Sequence, residues 1–353
     1  MYMTDVNGRT KYSFAAGGIH AAESPITVYN ENHMLVVSDY DQVLKDYIKR
    51  DFTIGLKVNS VRASGWPHTW NEQTKIPSNT KAVDPQIGFG TKDEPSYRPP
   101  TLDADYGRDN WKHAFCRMYA TGIRYSYFQR QMENNYGSFE DLTAKDYNDM
   151  FVDFTKVTCN DFWNGTTALD ATDAFTYCGV LSQITDKTAI ADGKRISDAI
   201  RTKIASLAAS LDFSNFPDVL AMNPATYDLL CTEEADRSLY QREIQAEIVP
   251  GVNVPGILTP AGTLPIVLTP FIKPDTTTTA GSTVHSIVAL NTSMIDRIWM
   301  FNDGPQVFEI ANPDTPLANK ELLTDKFVLD MSNYIVHGAN TGAHFILTKT
   351  VKN

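Results

Sequence analysis

A polar stretch from residue 66 to residue 110 is the feature that most constrains how this chain can fold. Prolines and glycines interrupt it throughout, and it shows neither helical nor strand periodicity. Loops of this length are uncommon inside compact domains and are usually functional, disordered or engaged with a partner. Plain disorder is disfavoured because disordered segments are poor in aromatic residues, and this stretch contains Trp66, Trp70, Phe89 and Tyr97. We expect these four side chains to contact neighbouring subunits of an assembly.

The composition is that of an ordinary globular protein. The chain has 353 residues, of which 42% are hydrophobic and 21% charged, enough for a large core in two or three lobes. Its formal net charge of −11 is spread along the chain, which argues against a DNA-binding or membrane-surface protein. No apolar run approaches the roughly 20 residues of a membrane span, and no signal peptide is apparent. Four widely spaced cysteines without a CxxC pair indicate reduced thiols in a cytoplasm.

The first third of the chain predicts an extended arm followed by a helix. Residues 1–37 show no sustained periodicity apart from a short strand-like piece around Ile26–Tyr29. A helix is predicted from Ser38 to Phe52, with Ser38 as its N-cap. A strand is predicted to follow at residues 53–63.

A long helix is predicted from Ser138 to Asn164. Ser138 and Asp141 form a capping-box pattern at its start, and Asn164-Gly165 ends it. At 1.5 Å per residue this spine is roughly 40 Å long. One face is predicted to be buried, because suitable residues recur at three- and four-residue intervals: Tyr147, Met150, Phe151, Phe154, Val157, Asp161 and Phe162.

The segment after the long helix predicts an α/β lobe. A helix is expected at residues 195–211, with isoleucines and leucines on one side. A buried strand at Val219–Met222 then runs into a second helix, with Asn223 as N-cap and Pro224 at the first helical position. Residues 251–270 predict a β-hairpin, with prolines that keep at least one of its strands at a sheet edge.

The rest of the chain is rich in strands. VHSIVALN, IDRIWMF and QVFEIA predict three short strands. KFVLDM, YIVHGA and HFILTKT predict three more, which we expect to form one antiparallel sheet. With its helices, the chain is therefore of the α+β class, and it contains no internal repeat.

The common catalytic motifs are absent from the sequence. There is no P-loop, no GxSxG, no HExxH, and no GxGxxG after a strand. Gly88-Phe89-Gly90 lies among prolines, where a turn is favoured over a phosphate-binding loop. We therefore predict no catalytic and no cofactor-binding residues, and a protein that is not an enzyme.

Three weaker patterns each have a structural alternative. His337 and His344 could meet at a metal ion, but ordinary packing is favoured. Asp103, Asp105 and Asp109 resemble a cation-binding cluster but lack the EF-hand glycine and glutamate, which favours a polar loop and no metal site. Basic residues interleave with aromatic ones in a way that suits single-stranded nucleic acid or a half-buried strand, and the net charge favours the strand; the residues are Arg117, Arg124, Arg130, Tyr119, Tyr125, Tyr127 and Phe128.

The order of these pieces resembles the major capsid protein of tailed bacteriophages. The resemblance covers nearly the whole chain, and its most specific parts are Met222–Tyr227 and the hairpin from Gly251 to Pro270. It implies an α+β capsid fold in which the Asn-Pro turn is architecture rather than part of an active site. The implied segments are an N-terminal arm and first helix (1–50), an extended-loop region (51–110), a peripheral domain with the spine helix (111–188), an axial domain (189–312) and closing strands of the peripheral domain (313–353).

The resemblance also implies a function and partners. The chain would self-assemble as hexamers and pentamers into the icosahedral or prolate head shell of a tailed bacteriophage. The shell would enclose double-stranded DNA without sequence-specific binding and without a cofactor, a metal or a membrane. Partners would be further copies of the chain, a portal protein, decoration proteins and a scaffolding protein. The product would be a virion assembled in the bacterial host cytoplasm.

Departures from the family pattern leave two alternatives. Many members carry an N-terminal scaffolding segment, for which a core that begins near Ser38 leaves no room, so a separate scaffolding protein is implied. Some members crosslink through lysine; Lys75, Lys81 and Lys92 lie in the extended loop, but no feature marks them as reactive. An encapsulin, a cellular shell of the same fold, is the first alternative. A hydrolase that uses the acidic loop around Asp103 is the second.

Overall fold

The structure is a computed structural model, in which the chain forms two compact units. The first comprises residues 1–49, 125–148 and 312–324, and the second comprises residues 50–124, 149–311 and 325–353. The described residues are 2–4, 10–12, 28–29, 35–36, 49–50, 52–73, 75–80, 82–96, 105–126, 142–172, 175–210, 216–235, 245–249, 252–277, 281–311, 323–339 and 341–352.

The first unit contains two short antiparallel strand pairs. β1 (Tyr2–Thr4) pairs with β2 (Thr10–Tyr12), and β3 (Val28–Tyr29) pairs with β4 (Leu35–Val36). The strand expected around Ile26–Tyr29 is therefore present as β3. The other three were missed, because strands of two or three residues are too short to show a period of two. The helix predicted from Ser38 falls mostly outside the described residues.

Three of the four described helices were predicted, and the short helix at Val180–Gln183 was not. The four helices are α1 (Leu142–Asn164), α2 (Val180–Gln183), α3 (Ile196–Ala208) and α4 (Pro224–Ala235). α1 ends at Asn164 as predicted, whereas its predicted cap at Ser138 lies outside the described residues. The predicted buried face is correct at Met150, Phe154 and Phe162 but wrong at Val157, which is 42% exposed. The last turns of α1 also enter the core outside the predicted face, through Cys159 and Trp163.

The remaining strands are, in chain order, β5 (Asn59–Arg62), β6 (His68–Asn71), β7 (Trp111–Ala114), β8 (Arg117–Ser126), β9 (Lys187–Ala189), β10 (Val219–Met222), β11 (Gln245–Val249), β12 (Val252–Thr259), β13 (Gly262–Leu268), β14 (Ser282–Leu290), β15 (Ile295–Trp299), β16 (Gln306–Ala311), β17 (Leu323–Val336) and β18 (Phe345–Lys352). Of the strand predicted at residues 53–63, only β5 takes part in a sheet.

A seven-stranded mixed sheet has the order β11-β12-β13-β10-β14-β18-β9. α3 and α4 contribute to the core on this sheet, where the three isoleucines of α3 are fully buried, as predicted for that helix: Ile196, Ile200 and Ile204. The hairpin β12–β13 closes with Thr259 opposite Gly262. The prediction that proline keeps one of its strands at an edge is wrong, since both lie inside the sheet. Pro255 and Pro265 occupy pairing positions there, so each strand forgoes one amide donor.

The joint between β10 and α4 has the predicted capping geometry. The Ala225 amide donates a hydrogen bond to Asn223 Oδ1 at 3.0 Å, and Pro224 is the first helical residue. A capped N-terminus needs no ligand to satisfy its first donors. The turn is therefore explained as architecture.

A second sheet has the order β16-β17-β15-β5, with β8 also paired to β17. β15 is antiparallel to β17 and parallel to β5. KFVLDM and YIVHGA, predicted as two strands, form the single 14-residue strand β17. The predicted joint antiparallel sheet with HFILTKT is wrong, because β18 pairs with β14 in the other sheet. The turn between β17 and β18 contains Gly338 and Gly342 at positive φ, which lets the chain leave one sheet and enter the other.

Both sheets and the helices of the described chain confirm the α+β class. Fifteen residues around α1, α2 and the two sheets form one core cluster, and the α3–α4 side of the seven-stranded sheet forms another. Among the residues that the structure describes, no helix is long and apolar enough to cross a membrane.

Candidate inter-subunit surface

The two ends of the polar stretch pair with each other as a β-ribbon. β6 and β7 are antiparallel, with Trp70 opposite Lys112 and Asn71 opposite Trp111. Because side chains alternate along a strand, Trp70 and Lys112 share one face of the ribbon, and Asn71 and Trp111 share the other. The first face is half-buried and the second is exposed. The ribbon is thus a stem, and residues 72–110 form the loop that it carries.

Trp70 packs on its own chain. It contacts a small core formed by Ala114, Cys116, Ile298 and Ile335. Its indole Nε1 donates to Glu72 Oε1 at 3.0 Å. Trp70 is therefore half-buried within a single subunit, because the ribbon turns this face onto β15 and β17, and its predicted contact with a neighbouring subunit remains a prediction.

The other predicted contact residues differ in exposure. Trp66 is 59% exposed and touches Phe115 edge-to-face, with 5.3 Å between ring centroids. Phe89 is 39% exposed, and Tyr97 lies outside the described residues. Trp111, which the sequence analysis missed, is 69% exposed on the outer face of the ribbon. Its alternation with half-buried Lys112 was the available signal. Whether these exposed rings contact other subunits remains a prediction.

Polar contacts fasten the base of the loop to the second sheet. Lys112 Nζ donates to Glu72 Oε2 at 2.8 Å, and His337 Nε2 lies 2.9 Å from Asp296 Oδ2 and its Nδ1 lies 3.8 Å from Glu72 Oε1. Burial alone would raise the pKa of Glu72, but the hydrogen bonds from Lys112 and Trp70 outweigh it and the pKa falls below its ordinary value. Glu72 is therefore ionised near neutral pH; its bond from Lys112 joins the two strands of the stem, and a backbone hydrogen bond from Gly338 links it to the residues that follow β17.

The Gly88-Phe89-Gly90 segment is a compact turn, as predicted. The Gly88 amide donates to Asp84 C=O at 2.7 Å, and the Phe89 amide donates to Ser96 C=O at 2.6 Å. A Cβ added at Gly90 would lie 2.1 Å from the carbonyl oxygen of Glu94, so only glycine fits. These amides are consumed within the turn, which leaves them unable to bind a phosphate group.

The acidic loop is only partly described. Asp103 lies outside the described residues, Asp105 pairs with Lys75 at 2.5 Å, and Asp109 is exposed. No group of three or more potential metal ligands occurs within the described ranges.

His337 and His344 are linked through a backbone group. His344 is fully buried, and its Nδ1 accepts from the Asn291 amide at 3.2 Å. The proton must then sit on Nε2, which donates to the carbonyl oxygen of His337 at 3.2 Å. Burial lowers the pKa of His344 to about 4, and this effect outweighs the His337 carbonyl, which acts in the opposite direction. The pair is packed into the fold, as the preferred prediction had it.

Arg117 and two of the cysteines have structural roles. Arg117 is 4% exposed and donates to the carbonyl oxygens of Ala168 and Ala171 at 3.2 and 2.6 Å. It lies on β8, so the half-buried strand was the correct alternative there. Burial raises the pKa of both Cys116 and Cys159 to about 11, so neither thiol is an ionised nucleophile near neutral pH.

Comparison with known proteins identifies the fold. No protein-family model and no curated protein matches the sequence. Among solved structures, the chain is similar to the capsid of Myoviridae phage XM1, with a TM-score of 0.52 and 12% identity over 94% of this chain and 99% of that one. It is also similar to a chain of Mycobacterium phage Bobi (TM-score 0.56, 11% identity, 89% and 95% coverage).

The similarity extends to a shell of cellular origin. The holo-SrpI encapsulin complex from Synechococcus elongatus matches with a TM-score of 0.54 and 10% identity over 86% of this chain and 91% of that one. The chain has the tailed-phage capsid fold. Identities this low establish the capsid fold alone, and the phage and encapsulin versions of it match about equally well.

Proposed function

We propose that this chain is the major capsid protein of a tailed bacteriophage and that it assembles into a closed shell. The observation that carries the proposal is the match of the fold over nearly the full length of both this chain and the XM1 capsid chain. A fold alone does not fix a function. Here, however, the solved structures that share the fold include both a phage capsid and an encapsulin.

The shell would form by summing many weak contacts. Each subunit would present the outer face of its β6–β7 ribbon, with Trp111, and the exposed ring of Trp66 just before β6 to a neighbour in a hexamer or pentamer. Burying one large aromatic side chain contributes roughly 1.5–3 kcal/mol, and the contact recurs at every subunit. The arm (1–50), extended-loop region (51–110), peripheral domain (111–188 and 313–353) and axial domain (189–312) are the segments we propose for these contacts.

The contents and partners of the shell follow from its charge and role. A net charge of −11 suits a wall that encloses double-stranded DNA without gripping its phosphates. A separate scaffolding protein, a portal and decoration proteins would complete a virion assembled in the bacterial cytoplasm. The subunit itself would act as a structural protein without enzymatic activity.

Negative-stain electron microscopy of the purified protein, alone and with candidate scaffolding proteins, tests the proposal. We expect closed shells of uniform diameter, with sedimentation far above that of a 39.3 kDa subunit. Shells that carry a co-purified protein cargo after nuclease treatment would assign the chain to the encapsulins instead. A species that stays small in all these conditions contradicts both shell functions.

A further inference from the structure

The second sheet ends in a strand with an open side. β5 is terminal in the order β16-β17-β15-β5. Just beyond it, the Ala63 amide donates to the Trp299 carbonyl oxygen of β15 at 2.8 Å. Backbone groups alternate in direction along a strand, so the amide of Val61 also faces β15. The amides of Ser60 and Arg62 therefore point away from the sheet.

The outward groups of β5 are available for pairing. Within the described ranges, the amides of Ser60 and Arg62 form no hydrogen bond on the open side, and both residues are exposed. Unpaired N–H and C=O groups in a row on a strand are a template for another strand.

The segment before β5 departs from strand geometry. Residues 53–58 belong to no sheet, with Gly55 at a φ of 74° and a bend at Leu56, and Ile54, Leu56 and Val58 pack on the core. Thr53 and Lys57 face outward. A groove of about 560 Å³ lies between this segment and α1. No backbone hydrogen bond to residues 53–58 occurs in the part of the chain that the structure describes.

We infer that residues 59–62, the β5 edge, with Lys57 just before them, bind an extended strand from a second copy of this chain. The binding mode is β-augmentation, in which backbone hydrogen bonds provide affinity and neighbouring side chains provide selectivity. This inference rests on the proposed shell function and names one of the surfaces through which the shell assembles.

Charge indicates how the second copy is oriented. Lys57 and Arg62 make the edge cationic on a chain whose net charge is −11. Two such edges repel each other, which disfavours a twofold dimer that pairs β5 with itself. An acidic segment elsewhere on the second copy fits better, and this head-to-tail contact is the kind that closes rings. Two cations are too few to hold nucleic acid at ordinary salt.

The size of the contact also favours a lattice of copies. Four residues of β5 span about 13 Å, and pairing along them buries far less than the roughly 1,200 Å² of a stable complex. Such a contact holds only when many others form with it, as in a shell. Trp66, four residues beyond Arg62 and 59% exposed, offers the same neighbour apolar area.

Amide hydrogen exchange on unassembled subunits and on shells tests the inference with an internal control. The outward amides of Ser60 and Arg62 should exchange quickly in the subunit and at least about tenfold more slowly in the shell. The inward amides of Val61 and Ala63 should be protected in both. Shells in which Ser60 and Arg62 still exchange quickly would overturn the inference and leave the shell function intact.

A matched pair of variants provides a second test of the inference. Ser60→Pro removes one outward donor without breaking a bond to β15, whereas Ser60→Ala keeps the donor. We expect both variants to unfold at the same urea concentration as the native subunit. Only Ser60→Pro should raise the concentration needed for assembly, by about tenfold. The inference would be overturned if both variants assembled equally well. It would also be overturned if the Ser60 amide were already protected in the subunit, or if nuclease treatment of the shells removed its protection. Failure of the native chain to form any shell would overturn the shell function as well.

Discussion

Asn223 shows how a single side chain fixes a local geometry. Its Oδ1 accepts the Ala225 amide at 3.0 Å, and Pro224 sets the backbone angle of the first helical residue. Both effects depend only on neighbours in sequence, which is why the sequence predicted them.

Removing this cap should destabilise the subunit without affecting assembly contacts. We expect Asn223→Ala to lower the free energy of unfolding by about 1 kcal/mol, since one helix donor loses its partner. Asn223→Asp keeps an acceptor and should stay within about 0.5 kcal/mol of native. Urea unfolding followed by circular dichroism measures both. A variant with native stability that had lost affinity for a small molecule would contradict the architectural role of the turn.

His344 should make the stability of the subunit depend on pH. Its pKa is about 4 in the folded chain against an ordinary value of 6.5, so between these values only the unfolded chain takes up the proton. The contribution is fully present above pH 6.5 and is lost as the pH falls toward 4, by about 3 kcal/mol in total. We expect His344→Gln to flatten the dependence of unfolding free energy on pH in this window. Exposed His113→Gln is the control and should leave the slope unchanged.

The β6–β7 ribbon separates two roles of tryptophan at the scale of the element. Trp70 lies on its inner face against Ile298 and Ile335, whereas Trp111 lies on its outer face. The sequence showed aromatic residues in an unusual loop but gave no sign of which face would be covered. That depends on β15 and β17, which lie more than 180 residues further along the chain.

Substitution of the two faces should have opposite effects. Trp70→Ala should lower the free energy of unfolding by about 2 kcal/mol, because a partly buried ring is lost from the small core. Trp66→Ala and Trp111→Ala should change it by less than about 0.5 kcal/mol but raise the concentration needed for assembly. Thermal unfolding of subunits and light scattering during assembly distinguish the cases. If Trp111→Ala assembled like the native chain, the outer face would not be an interface.

Sequence patterns predicted most helices and strands, but fewer of the pairings between strands. α1, α3, β10 and the β12–β13 hairpin were foreseen because capping, helical periodicity and turn residues are local signals. The edge position of the hairpin and the common sheet for β17 and β18 were wrong, because pairing depends on groups far apart in sequence. The prediction that Val157 is buried was wrong for the same reason. Its position on α1 was predicted, but the side of α1 that packs against the sheets at that turn was not.

At the scale of the whole molecule, the three hydrophobic core clusters of the described chain all lie in the second compact unit. The first unit contributes two short strand pairs near the N-terminus. We therefore expect the core to fold without these pairs.

Deletion of residues 1–37 tests the role of the arm. The shortened subunit should keep a cooperative thermal transition close to that of the full chain. Its assembly should fail or give shells of abnormal size, because the contacts that the arm makes on neighbours are lost. Micrographs taken at matched concentrations of the two proteins provide the comparison. Normal shells from the shortened chain would show that the arm is not a clamp.

The position of β18 sets the order in which the molecule can be completed during synthesis. β18 lies between β14 and β9, so neither of these strands has all of its sheet partners until β18, which is translated after them, has been made. β9 in particular has no other partner in the sheet and stays unpaired until residues 346–348 leave the ribosome. Since chains fold progressively from the N-terminus as they are made, the seven-stranded sheet closes late. A nascent chain therefore carries an incomplete sheet until translation has passed β18.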